Sequence, residues 1–217
     1  MRAEKRVKPS KNKSDVALDL ERAEQARGQG AWRRAITAYE HALVEAPHRA
    51  DVRLRIADLY AAHGEKKLAH VAYLRAAESF AAQGFSERAL GVYLAAARRA
   101  PKDAEVWKRA AAIEIARGHK GDGARMLLTS ARLSLRARKD EEAAMLLRRA
   151  FSLEPFHLDT SLLLARALVR IGRRDEARSL LVRLALEKHG AALRRVQWAL
   201  VRCAPSPRSL WQLVRGA

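Results

Sequence analysis

Residues 86–101 read SERALGVYLAAARRAP, and this stretch decides the fold because the chain repeats it. Related stretches are WRRAITAYEHALVEAP at residues 32–47 and DEEAAMLLRRAFSLEP at residues 140–155, so successive copies begin 54 residues apart and each ends in a proline. Two more sets of residues keep this step, namely Gly64, Gly118 and Gly172, and Ala57, Ala111 and Ala165. Such an internal repeat is typical of a solenoid, which presents a long concave surface. The sequence therefore favours a protein that holds another molecule.

The composition indicates packed helices. Of the 217 residues, 49% are hydrophobic and only 6% aromatic, and alanine and leucine supply most of the apolar side chains. No stretch alternates β-branched and aromatic residues as strands do. The one cysteine, Cys203, excludes an internal disulfide and fits a reducing compartment. No apolar run reaches the ~18–20 residues of a membrane span, and the N-terminus lacks the apolar stretch of a secretory signal, so we expect a soluble, cytoplasmic protein.

The apolar periodicity predicts an all-α chain of about eleven antiparallel helices, grouped as a three-helix super-repeat of 54 residues. Residues 1–15 form a polar, basic segment without periodicity, which we expect to be a disordered tail. The repeat domain then covers residues 16–188, with its first helix at about 16–28. Residues 189–217 form a C-terminal capping helix and tail, in which Trp211 is expected to cover the last apolar face. The predicted core contains Ala35, Tyr39, Ala57, Tyr60, Ala69, Tyr73, Ala76, Ala89, Tyr93, Ala111, Ala143 and Ala165.

The repeat resembles the tetratricopeptide repeat, a pair of antiparallel helices in 34 residues. Its pattern of small residues, aromatics, a turn glycine and a final proline is matched in residues 70–103 by Ala77, Phe80, Gly84, Ala89, Tyr93, Ala96 and Pro101. The resemblance extends over residues 16–188 and is closest in residues 31–103. Windows 50–83 and 70–103 overlap, so the helix at about 65–83 serves two units.

The resemblance implies that the first helix of each unit lines the concave face. The basic residues at those positions are the predicted partner-binding set: Arg55, Lys108, Arg109, Arg132, Arg136, Arg166 and Arg170. They make the groove basic from residue 104 onward. The alternative, that these side chains belong to ordinary solvated helix faces, is equally compatible with the sequence.

Motifs that would indicate catalysis or metal binding are weak. The stretch Gly118-His-Lys-Gly-Asp-Gly123 looks like a phosphate-binding loop but lacks the Gly-Lys-Ser/Thr ending and a preceding strand, so we interpret it as an interhelix turn. The seven histidines are scattered, and Cys203 has no cysteine neighbour. We therefore expect no catalytic residues, no metal and no cofactor.

Two functions fit these observations. The first is a non-enzymatic scaffold that binds a protein segment, possibly acidic, in the concave groove. The second is binding to the phosphate backbone of nucleic acid, suggested by the net charge of +19, the basic tail and the acid-free residues 188–217. The oligomeric state is open at this point.

Overall fold

The computed structural model describes residues 11–203, with side chains from Asp15 onward. Within this range the secondary structure consists of eleven α-helices and no strand, which confirms the predicted all-α fold. None of the described helices is long and apolar enough to cross a membrane. The chain divides into two compact units, with the boundary between Ala100 and Pro101.

The described part of the N-terminal unit contains five helices, in which α1 packs on α2, α3 on α2 and α4, and α4 on α5. Their bounds are α1 (Lys11–Gly28), α2 (Trp32–Glu45), α3 (Ala50–Ala62), α4 (Lys66–Ala82) and α5 (Ser86–Arg99). The described part of the C-terminal unit contains α6 (Ala104–Ala116), α7 (Lys120–Arg136), α8 (Asp140–Leu153), α9 (Leu158–Arg170), α10 (Arg174–Glu187) and α11 (Gly190–Cys203). Here each helix packs on the next, and α9 also contacts α7 and α11.

Helix lengths recur along the chain. Helices α3, α4 and α5 have 13, 17 and 14 residues, and α6, α7 and α8 have the same lengths in the same order. Helix α1 begins at Lys11 and has 18 residues, so it covers the last five residues of the segment expected to be disordered. In the repeat, α1 corresponds to the long helices that begin at Lys66 and Lys120. Extension of a helix that has already formed requires no new nucleation step, and this explains why α1 reaches back to Lys11. Residues 1–10 of the expected tail, and Trp211, lie outside the described residues.

Glycine turns join the helix pairs. Gly64, Gly118 and Gly172 have φ of 75°, 88° and 83°, in the left-handed region that side chains with a Cβ adopt only at a cost. Gly118 therefore lies in the turn between α6 and α7, whereas residues 120–123, which we also interpreted as turn, form the start of α7. Gly123 lies inside α7, where a Cβ would come within 2.5 Å of Ile115 Cγ1. Its missing side chain lets α6 and α7 pack closely.

The core of each unit consists of alanines packed against larger side chains. Eleven of the twelve predicted core residues are buried, and the exception is Tyr60. Tyr60 is half-buried and lies edge-on to the Trp32 ring, with 6.4 Å between centroids. Among the larger side chains, Tyr39 is fully buried in the N-terminal unit and Leu127, Leu147 and Leu181 in the C-terminal unit.

Two buried tyrosines of the N-terminal unit donate hydrogen bonds to acidic residues 15 positions earlier. The Tyr39 hydroxyl donates to Glu24 Oε1 and the Tyr73 hydroxyl to Asp58 Oδ1, each at 2.5 Å. Burial raises the pKa of Tyr73 to about 12, and the hydrogen bond to Asp58 adds to the shift. The pKa of Glu24 is lowered, chiefly because its carboxylate accepts the Tyr39 hydroxyl. The buried phenols therefore hold carboxylates on α1 and α3.

Candidate functional site

The C-terminal unit contains a groove of about 740 Å³ between α7, α9 and α11. Helices α9 and α11 supply its apolar lining, most of which also belongs to the core or packs against it. The apolar lining consists of Leu162, Leu163, Ala165, Val169, Trp198, Ala199 and Cys203. The Trp198 side chain is 59% exposed, an unusual position for so large an apolar group. Within the described residues, the groove therefore offers a partly open hydrophobic surface.

Arginines surround this apolar floor. Five of them line the cavity, and a connected cavity of about 290 Å³, which shares Arg132, Arg166 and Arg170, adds two more. The seven side chains are Arg132, Arg136, Arg138, Arg166, Arg170, Arg195 and Arg202. The only acidic residue on the same described surface is Asp159. We call this surface, with its apolar floor, the arginine groove.

Asp159 fixes two of these arginines. Its Oδ1 accepts a hydrogen bond from Arg195 Nη2 at 2.8 Å, and its Oδ2 accepts one from Arg132 Nη2 at 3.1 Å. The pKa of Asp159 is lowered, first because of the hydrogen bond from Arg195 and then because of the positive charges around it. One carboxylate at the start of α9 thus links α7 to α11 and orients two guanidinium groups at the rim.

Arg170, at the end of α9, is bound into the fold. Its Nη1 donates to Asp140 Oδ1 at 2.7 Å and to the Leu135 carbonyl oxygen at 3.3 Å. Both partners of this ion pair are largely shielded, with side-chain exposures of 23% and 20%. Removal of one partner from such a pair leaves a shielded charge without compensation. Arg170 therefore contributes to stability as well as to the charge of the groove.

Four other arginines of the groove form no ion pair or side-chain hydrogen bond within the described residues: Arg136, Arg138, Arg166 and Arg202. All four are exposed. Each carries five N–H donors in a planar fork that fits a carboxylate or a phosphate. These guanidinium groups are the ones available to a ligand without breaking an existing contact.

The structure brings together four of the seven predicted partner-binding residues, namely Arg132, Arg136, Arg166 and Arg170. The other three lie elsewhere. Arg55 forms an ion pair with Glu24 in the N-terminal unit. Lys108 and Arg109 both bind Glu105 on their own helix, Arg109 at 2.9 Å.

Helix α11 supplies three residues that the sequence analysis did not assign to the site, Arg195, Trp198 and Arg202. The 54-residue repeat could not assign them, because α11 begins four residues earlier than a helix in phase with α8 would begin. The signal that was present is the run of bases without acids from Lys188 to Arg202. It indicates charge but not that the charge lies beside an apolar groove.

Residues 135–197 match the sequence model of the tetratricopeptide repeat family. This part of the chain is similar to the tetratricopeptide repeat. The match confirms the predicted resemblance, and it lies in the half where leucines replace the usual aromatics. It covers α8, α9 and α10 completely, and of these α9 lines the arginine groove. No curated protein matches the chain by sequence.

Several solved structures are similar to this chain at low identity. BtubC (BKLC) from P. vanneervenii is 17% identical, with 95% of this chain and 89% of that chain covered and a TM-score of 0.47. YrrB, described as a tetratricopeptide repeat protein with an unusual peptide-binding site, is 13% identical, with 95% of each chain covered and a TM-score of 0.29. PilF of Pseudomonas aeruginosa is 14% identical, with 94% and 89% covered and a TM-score of 0.33.

Proposed function

We propose that the C-terminal unit is a protein-binding scaffold whose arginine groove holds a partner segment that combines apolar side chains with acidic residues. The observation that carries the proposal is the combination of an uncovered apolar floor with seven arginines and one aspartate around it. A protein-interaction role is what a tetratricopeptide repeat generally implies. The composition of the groove adds the chemistry of the partner.

The apolar floor would supply most of the affinity. Burial of apolar surface stabilises a complex by roughly 25 cal/mol per Å², and a large side chain in a central pocket is the usual anchor of an interface. Trp198 and Leu162 offer such a pocket within the described part of α9 and α11. A leucine or an aromatic residue of the partner fits this place.

The arginines would select the sequence around the anchor. Arg136 and Arg166 have no ion-pair partner among the described residues, so each is available to a carboxylate of the partner without loss of an internal contact. Complementary charges at the rim of an interface raise the association rate and exclude partners of the wrong sign. The groove should therefore reject basic segments.

The test uses synthetic peptides and the full chain in isothermal titration calorimetry. The probe is a peptide with two leucines flanked by glutamates, compared with one in which serines replace the leucines and one in which glutamines replace the glutamates. We expect binding to the first alone. Equal binding of the serine peptide would show that charge suffices and would overturn the role of the apolar floor.

Charge reversal locates the site. Arg136→Glu with Arg166→Glu should abolish binding, because it removes two unpaired guanidinium groups and adds two repelling carboxylates. Arg178→Glu with Arg183→Glu is the matched control, since these exposed arginines of α10 lie in the same unit but not in the groove. Arg170 is avoided because its ion pair with Asp140 contributes to the fold. An equal loss in the control would refute the assignment to the groove.

The unpaired arginines and the net charge of +19 also favour a second candidate, the phosphate backbone of nucleic acid. The two candidates differ in their salt dependence. Backbone binding falls steeply with salt because each neutralised phosphate releases a counterion, whereas a complex held by apolar anchors depends on salt far less. Retention of single-stranded nucleic acid that is lost in Arg136→Glu with Arg166→Glu, and absence of peptide binding, would place the second candidate first.

A further inference from the structure

The N-terminal unit has a second groove, built from other helices and of a different character. It is a cavity of about 420 Å³ whose floor is α3, through Ile56 and Tyr60, and whose walls are α2 and α4. The walls carry exposed apolar side chains: Val44 is 76% exposed, Leu68 48% and Val71 46%. We call this surface the apolar groove.

The repeat itself shows that these apolar residues are not needed for folding. The positions 54 and 108 residues further along the chain lie on helices of the same type but carry polar or charged residues. They are Arg98 and Ser152 for Val44, Asp122 and Glu176 for Leu68, and Arg125 and Ser179 for Val71. Polar groups are expected at such exposed helix positions. Three apolar exceptions around one cavity therefore indicate a surface that is covered by something else.

The charges at the apolar groove are opposite on its two walls. Glu40 lies on α2 and Arg75 on α4, and both line the cavity. The third charged residue of the lining, Arg53 of α3, is half-buried and donates from Nη2 to the Pro47 carbonyl oxygen at 3.0 Å. The side chains of Glu40 and Arg75 are exposed, and neither forms an ion pair within the described residues. A surface with an unpaired acid on one wall and an unpaired base on the other is complementary to itself. In a two-fold dimer, each contact between a residue i and a residue j of the partner occurs twice.

We propose that the apolar groove is the interface of a two-fold dimer of this chain. Val44, Leu68 and Val71 of each copy pack into the groove of the other, and Glu40 of each copy pairs with Arg75 of the other. The apolar contacts supply the stability, and the two reciprocal ion pairs fix the orientation. Because the net charge of +19 opposes association, the dimer should be favoured at physiological salt, where repulsion is screened beyond about 8 Å.

The test is sedimentation velocity of the nuclease-treated full chain over a range of concentrations, with circular dichroism to verify folding. We expect a monomer–dimer equilibrium. Val44→Arg and Val71→Arg should each weaken dimerisation by roughly tenfold or more, since each places a charge without a partner in an apolar interface. Both substitutions copy residues that the chain tolerates at Arg98 and Arg125, so the fold should persist. Val182→Arg is the matched control, because Val182 is 47% exposed but lies on α10.

Exchange of the charges at Glu40 and Arg75 distinguishes a second copy of this chain from any other partner in the apolar groove. Glu40→Arg and Arg75→Glu should each weaken the dimer, because each creates two like-charge contacts across the two-fold axis. The chain that carries both substitutions should regain it, and so should an equimolar mixture of the two single variants. A partner of another kind would show no such reciprocal rescue.

Three results would overturn the proposal. The first is a wild-type chain that sediments as a monomer up to its solubility limit. The second is a dimer that Val44→Arg and Val71→Arg leave unchanged. The third is a dimer that both single charge reversals weaken but the double variant fails to restore.

Discussion

The N-terminal and C-terminal units fill equivalent core positions with different residues, and this difference affects where charged residues occur. In the N-terminal unit the buried aromatic positions hold tyrosines, and Tyr39 and Tyr73 donate their hydroxyls to Glu24 and Asp58. All four tyrosines of the chain lie in this unit. A buried hydroxyl needs an acceptor, so the acids are a requirement of the tyrosines.

In the C-terminal unit leucines take those places, and the acids disappear with the hydroxyls. Leu127 and Leu181 stand where the repeat has Tyr73, and Ala112 and Arg166 stand where it has Asp58. Leu147 likewise replaces Tyr93, and Arg132 replaces Glu78. A leucine needs no hydrogen-bond acceptor, so the position equivalent to Asp58 is free to carry a base such as Arg166. The buried polar groups of this unit are others, among them Ser130, which donates to the Ala104 carbonyl oxygen.

The largest expected effect concerns Arg166, whose equivalents in the earlier copies are Ala112 and Asp58. Arg166→Ala should weaken binding of the glutamate–leucine peptide by about fivefold, and Arg166→Asp by about fiftyfold, because the second change adds repulsion to the lost attraction. Calorimetric titration measures both. If alanine and aspartate have equal effects, the charge at this position does not act on the ligand.

The next prediction tests whether Asp58 is needed as the hydrogen-bond acceptor of Tyr73. Asp58→Ala should lower the free energy of unfolding by about 1–2 kcal/mol, because the shielded Tyr73 hydroxyl loses its acceptor. In a Tyr73→Phe background the same substitution should cost less than about 0.5 kcal/mol, since no hydroxyl remains to be satisfied. Denaturant unfolding of the four chains gives the coupling energy. Equal costs in both backgrounds would mean that Asp58 has another role.

A smaller effect concerns one pair of packed residues whose side-chain sizes differ between the two units. Gly123 faces Ile115 in the C-terminal unit, whereas the equivalent positions in the N-terminal unit are Ala69 and Ala61. Gly123→Ala should lower the free energy of unfolding by about 1 kcal/mol, because the clash with Ile115 exceeds the gain in helix propensity. In an Ile115→Ala background the same change should instead stabilise by about 1 kcal/mol. Thermal unfolding reveals the change of sign, and its absence would contradict the packing of α6 on α7.

The last expected effect is a loss of stability that appears only at alkaline pH. The folded pKa of Tyr73 is raised from 10.0 to about 12, so its contribution is complete below pH 10 and is lost as the pH rises towards 12. The unfolded state releases this proton first, and unfolding therefore becomes easier over that interval. The free energy of unfolding, measured across this pH interval, should decline less steeply in Tyr73→Phe. The same slope in both chains would show that Tyr73 titrates normally.

Most of the fold was predictable because periodicity, turn glycines and terminal prolines act locally. The early start of α1 was missed, although the spacing from Lys66 and Lys120 points to it. The half-burial of Tyr60 could not be predicted from its repeat position, because it depends on Trp32 one helix away. For the candidate site, the concave-face positions implied by the family resemblance include Arg132, Arg136, Arg166 and Arg170, which the structure brings together, whereas it pairs Arg55 with Glu24 of another helix.

The sequence by itself determined the helices, their recurring lengths and the excess of positive charge, since each follows from residues close together in the chain. Only the tertiary structure decided which charges meet an apolar surface and which are already paired. Arg166 and Arg55 look alike in sequence, yet one stands unpaired beside an apolar floor and the other is bound to Glu24. The reason is that pairing and exposure depend on neighbours from other helices. Helix α11 completes the arginine groove out of phase with the repeat, and only packing against α9 brings Trp198 and Arg195 to it.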